Sequence, residues 1–247
     1  MSPLPLRFTD RWGSARADRS YDDSACWHLL LGELPGVRAV AAEVRRRLAP
    51  FTGLHMTPDQ WLHATVLPIG PVRTITPADM EEKLARARVA LTGAAPVTVV
   101  FGSVFYHPEA IALTIAPTDG LTRVFEAARA ATRDAAREGT GPADAGVPGP
   151  RAPPATSWSP RITPWFPHMT LCYSTGDQPA APVIAALGKS VPSDPVTVDT
   201  LSLVVQNGPE RHWDWQVIGT VPLGTVPSRD PARHNGAAPP KIILLTA

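Results

Sequence analysis

Trp61-Leu62-His63-Ala64-Thr65-Val66-Leu67 and Pro167-His168-Met169-Thr170-Leu171-Cys172-Tyr173 are the two stretches on which the fold turns. Each is short and apolar, and the first is closed by Pro68-Ile69-Gly70, so both read as strands. Side chains two apart on a strand point to one face. His63 therefore shares a face with Thr65, and His168 with Thr170. Ala64, Val66, Met169 and Leu171 turn the other way, into a core. The same alternation places Cys172 on the His168 face, bordering any pocket there. A third His-x-Thr, His55-Met56-Thr57, precedes His63 by eight residues. It runs straight into Pro58-Asp59-Gln60, so a loop or edge position is expected for it.

Working outward, a second marker repeats with the first. Pro96-Val97-Thr98-Val99 returns as Pro195-Val196-Thr197-Val198, 99 residues later, while the two histidines stand 105 apart. Two markers recurring in one order at nearly one offset predict an internal duplication. Between them the periodicity predicts a buried strand over 26–31 and a helix over 37–48. A second helix starts at Thr76-Pro77, with Thr76 as its cap. Strands are expected at 97–106 and 111–115, then a long helix capped by Thr118 or Asp119, a weak helix at 180–189, and strands at 195–205 and 213–220. The expected fold class is α+β, bilobal, with two small mainly antiparallel sheets and outer helices around a central cleft. Residues 1–24 read as an irregular lead-in, 25–221 as the body, and 222–247 as a Pro/Gly-rich tail ending in apolar Ile242–Leu245. Residues 139–160 are a Gly/Pro/Ala stretch without period, the length of a functional flap or a disordered loop.

Composition narrows the partners. The 247 residues carry a net charge of +1, so no strong field draws the chain onto duplex DNA. One small anion or an RNA end needs only a few well-placed donors. The two cysteines, Cys26 and Cys172, cannot build a disulfide framework. Neither a signal peptide nor a membrane-length apolar run is present, which sets a cytoplasmic expectation. Oligomeric state is not legible.

Duplicated strands placed side by side put two imidazoles across one cleft. One neutral ring can take a proton from an attacking water or hydroxyl, and the other, protonated, can give one to a leaving oxygen. Threonine hydroxyls can donate to non-bridging phosphate oxygens. The quoted stretches resemble the paired His-x-Thr motifs of the 2H phosphoesterases, which include 2′-5′ RNA ligase-like proteins and cyclic phosphodiesterases. The resemblance spans roughly residues 26–220 in element order. It implies a bilobal fold, no metal or cofactor, and action on a cyclic or 2′-5′ phosphodiester of a nucleotide or RNA end. His63 and His168 would be acid and base, and Thr65 and Thr170 the phosphate holders. Val66, where many members have leucine, the 139–160 stretch and the tail depart from the pattern and leave the substrate open.

Further candidates for substrate binding are Trp165 and Phe166, just before the second motif, Arg161 beyond them, and Trp27 and His28 on the first strand. Each has a plainer alternative: packing for the aromatics, a satisfied core histidine for His28, solvated loop arginines for Arg151 and Arg161. Zinc on the histidines lacks a further ligand at fixed spacing. A duplicated module that binds a nucleotide without reacting, or an enzyme using the same cleft on a non-RNA phosphoester, remain as other readings. Pseudo-symmetry hides which histidine is acid and which is base.

Overall fold

The structure, a computed structural model, describes residues 3–13, 23–133 and 165–224. The 139–160 stretch, Arg151, Arg161 and the tail from 225 lie outside the described residues.

Eight strands form one mainly antiparallel sheet in the order β12 (Trp215–Pro222), β11 (Thr200–Gln206), β2 (Ser24–Leu30), β4 (His63–Pro71), β8 (His168–Ser174), β7 (Ala110–Ile115) and β6 (Phe101–His107), with β3 (Leu54–Met56) also along β8. The two expected sheets are thus wings of a single one. They join because the motif strands pair with each other, at Ala64 and Met169. The second marker does the same. β5 (Val97–Val99) and β10 (Val196–Val198) form their own antiparallel ladder, with Thr98 opposite Thr197. Each marker pairing with its own copy is what a pseudo-two-fold requires, and it supports the duplication. It also explains why the strand expected over 97–106 is broken at Val100: β5 leaves the sheet to meet β10, and the chain re-enters as β6.

The wings are interleaved in sequence. The His63 wing takes β2 and β4 from the first half of the chain and β11 and β12 from the second. The His168 wing combines β3, β6 and β7 with β8.

Helices cover one face. α1 (Pro35–Leu48) buries Val37, Val40, Ala41, Val44 and Leu48 and packs with α4 (Ala181–Leu187). α2 (Pro77–Ala90) packs with α3 (Asp119–Thr132) over the His63 wing. Thr76 and Asp79 form a capping box, as their spacing predicts. Thr118 rather than Asp119 caps α3.

The lead-in is less irregular than expected. β1 (Arg7–Phe8) pairs with β9 (Gln178–Pro179), Phe8 is fully buried, and Arg11 is nearly so. A stretch this polar hides Phe8 from any periodicity test.

Candidate active site

The Ala64–Met169 pair sets His63 opposite Thr170 and Thr65 opposite His168, and Phe125 of α3 lines the same cavity as these four side chains. Ala64, Val66, Met169 and Leu171 are buried in the core, as alternation predicts, although Val66 also borders the cavity. Both imidazoles are held alike. His63 Nδ1–H donates to the Trp61 carbonyl at 2.7 Å, and His168 Nδ1–H to the Phe166 carbonyl at 2.9 Å. A carbonyl only accepts, so the hydrogen of each neutral ring sits on Nδ1, and the basic lone pair is on Nε2.

A bulge follows each motif. Thr65 pairs with His28 and Leu67 with Trp27, skipping Val66; Thr170 pairs with Ala112 and Cys172 with Ile111, skipping Leu171. The skipped residue flips the alternation, which corrects the expectation for Cys172. Its thiol lies in the core, where burial pushes it up to about 12, and Tyr173 faces the cavity instead.

All four motif side chains line one cavity. Of the further candidates, the structure brings three there. His28 stacks on His63 with ring centroids 4.2 Å apart, and its Nε2 lies 3.4 Å from Thr65 Oγ1. Trp165 stacks on Phe125 and donates its Nε1–H to the Thr65 carbonyl at 3.2 Å. Phe166 lies against His168 at 5.8 Å and is 41% exposed, which suits it to meet a ligand. Trp27 is not brought in. It occupies the opposite face of β2, fully buried, with Nε1–H donated to Thr132 Oγ1 at 3.0 Å. The bulge beside this pair is on β4, so β2 keeps its alternation, and once His28 lines the cleft Trp27 must be core.

Several lining residues were not legible. Trp215 makes T-shaped contacts with both His63 (4.6 Å) and His28 (5.1 Å). Trp213, in a left-handed conformation (φ +54°), donates its Nε1–H to His55 Nε2 at 2.9 Å. That bond accounts for the third His-x-Thr: His55 sits on the short strand β3, paired with Tyr173 and tied to an aromatic wall. The far end of the cavity is polar. Arg11 bridges Glu109 (3.2 Å) and Glu210 (3.1 Å), and Tyr173 donates to Glu210 at 3.4 Å. The signal overlooked was Trp213-Asp214-Trp215 beside a strand. Arg11 offered none.

Burial sets the charge of the histidines. Desolvation lowers His63 to about 4, with the nearby His168 adding to the fall against the raising effect of the Trp61 carbonyl. His168 is lowered by the same cause, and His28 well below the ordinary histidine range. At neutral pH the cavity thus holds neutral rings able to accept protons. Among the described residues, no group of three His, Cys, Asp or Glu side chains is arranged to hold a metal ion.

Fold and site together define an α+β protein whose two His-x-Thr strands meet across a common cavity. The sequence model of the 2′-5′ RNA ligase superfamily matches residues 35–210, and the chain belongs to that superfamily, within the 2H phosphoesterases. The fold is similar to that of TT0787 from Thermus thermophilus, at 20% identity and TM-score 0.59 over 82% of this chain and 100% of that one. It is also similar to Escherichia coli LigT in apo form, at 13% identity and TM-score 0.52 over 83% and 99% of the two chains. LigT complexed with phosphate gives 11% identity and TM-score 0.54 over the same shares. No curated protein sequence matches the chain. No helix among the described residues is long and apolar enough to cross a membrane.

Proposed function

We propose that this cleft cleaves a cyclic or 2′-5′ phosphodiester of a nucleotide or RNA end without a metal, with His63 and His168 as a general acid–base pair. The carrying observation is the matched pair of imidazoles. Each is locked through Nδ1 to a carbonyl two residues upstream, and each stands across from the other motif's threonine. In hydrolysis of a 2′,3′-cyclic phosphate, one Nε2 takes a proton from water as its oxygen bonds to phosphorus. The other ring gives a proton to the ribose oxygen as its bond to phosphorus breaks. Thr65 and Thr170 donate to the non-bridging oxygens, whose charge grows in the transition state. The aromatic walls at Trp165, Phe166 and Trp215 suit the flat face of a nucleobase. Phosphate in complex with LigT, a protein of this fold, fits an anion-binding cleft.

Replacing His63 or His168 by alanine is expected to lower turnover of 2′,3′-cyclic nucleotides by about 10²–10⁴-fold, the usual worth of general acid–base catalysis. The far-UV spectrum should be unchanged and chelators without effect on the native protein. Full activity in either variant would remove the mechanism. Tight binding of cyclic nucleotides and 2′-5′ dinucleotides with no turnover would favour a binding module instead.

A further inference from the structure

We infer that His28 is a positioning residue: it donates its Nε2–H to Thr65 Oγ1 and so turns the threonine's own hydrogen toward the phosphate, making the first motif unlike the second. The inference rests on the reading of Thr65 as a phosphate donor, but its chemistry can be tested separately.

His28 is 5% exposed, and among the described residues nothing partners its Nδ1. A neutral imidazole has one hydrogen to place. On Nδ1 it would be a buried donor with no acceptor, one of the costlier defects in a folded protein. On Nε2 it has an acceptor, the Thr65 hydroxyl oxygen at 3.4 Å. The second tautomer leaves only a lone pair unmet. The ring cannot escape by taking a second proton. It is buried, it lies face to face with His63 at 4.2 Å, and Trp215 makes a T-shaped contact with it at 5.1 Å. His63 is the titratable group facing it from β4. Cys26 lines the cavity on the same strand, and the charged Arg11 and Glu210 line it as well. Burial and His63 both hold His28 neutral.

With Nε2–H filling one lone pair of Thr65 Oγ1, the hydroxyl hydrogen is free of His28 and available to an anion in the cleft. The tautomer is the reverse of that in His63 and His168, where Nδ1 carries the hydrogen. The matching position in the other wing, opposite Thr170, is Ala112, which can do none of this. His28 therefore breaks the pseudo-symmetry at the site itself.

Two measurements decide it. Nitrogen-15 imidazole spectra of the native protein near pH 7.5 should place the His28 hydrogen on Nε2 and those of His63 and His168 on Nδ1. A His28 hydrogen on Nδ1 overturns the inference whatever the activity. In kinetics on a 2′,3′-cyclic nucleotide, His28→Phe keeps the stacked ring but loses the donor, and should lower kcat about tenfold, the worth of one hydrogen bond. His28→Gln, which returns an N–H near the same place, should recover most of the loss. In a Thr65→Val background His28→Phe should cost no further kcat, whereas with Thr170→Val the tenfold loss should persist. An equal loss in both backgrounds, or a glutamine variant as poor as the phenylalanine one, would make His28 merely structural and overturn the proposal. Should His28→Phe fail to fold, the glutamine variant and the spectra still separate the two outcomes. A native protein without turnover would sink the phosphodiesterase reading, while the spectra alone would still decide the His28–Thr65 bond.

Discussion

His63 and His168 carry opposite duties in the proposed reaction, yet burial lowers both. In the free enzyme the base must be neutral and the acid protonated, so kcat/KM should be bell-shaped and lie on the acid side. One limb is set near 4 by His63, the other below 6.5 by His168. Above pH 6.5 the protonated acid thins about tenfold per unit, and kcat/KM should fall with it. A bound phosphate anion favours imidazolium, so the kcat profile should shift toward higher pH. Steady-state rates from pH 4.5 to 8.5 check both, and a flat kcat/KM over that span would contradict them. At this scale the sequence disclosed the motif histidines and threonines because a period of two fixes their face. It did not separate Trp27 from His28, since a strand buried on both sides lacks polar-apolar alternation. Cys172 was misassigned for another reason: a bulge at Leu171 inverts the count, and no residue type announces it.

The elements around the first motif are braced by a backbone contact that tolerates no side chain. A Cβ on Gly32, just after β2, would lie 2.0 Å from the Asp59 carbonyl oxygen. Asp59 opens the 3-10 turn Asp59–Trp61, whose last carbonyl holds His63 Nδ1. Gly32→Ala must push that turn away, at an overpacking cost of about 1–3 kcal/mol. The expected result is a lower unfolding midpoint together with a loss of kcat, whereas a change of similar cost on the far side of α1 should lower the midpoint alone. Thermal melts and kinetics on both variants would show it, and unaltered kcat in Gly32→Ala would refute the coupling. Element by element, the helices and the motif strands were legible through periodicity, caps and flanking prolines. The break at Val100 and the strand β3 were not, because both depend on partners distant in sequence: β10 for one, β8 for the other.

Over the molecule as a whole, three cavity histidines are kept neutral by the fold, and that links stability to acid. An unfolded chain binds their protons as pH falls through 6.5, while folded His63 resists until about 4. Stability is therefore full above 6.5 and declines toward 4, by up to about 1.4 kcal/mol per unit for each such histidine. Most carboxylates titrate lower, so the histidines dominate between 6.5 and 5. Urea midpoints at pH 7.5, 6 and 5 should decrease in that order, and a constant midpoint would count against buried neutral rings. The global arrangement was half legible. Repeated markers pointed to the strands that pair across the middle of the sheet, but not to each wing borrowing strands from the other half of the chain. That exchange has a consequence for cutting the polypeptide. Neither 1–133 nor 165–247 contains a complete wing, so each alone should lack a cooperative melt. Mixed or co-expressed, the two should reassemble by fragment complementation, and cleavage activity should return only with their association.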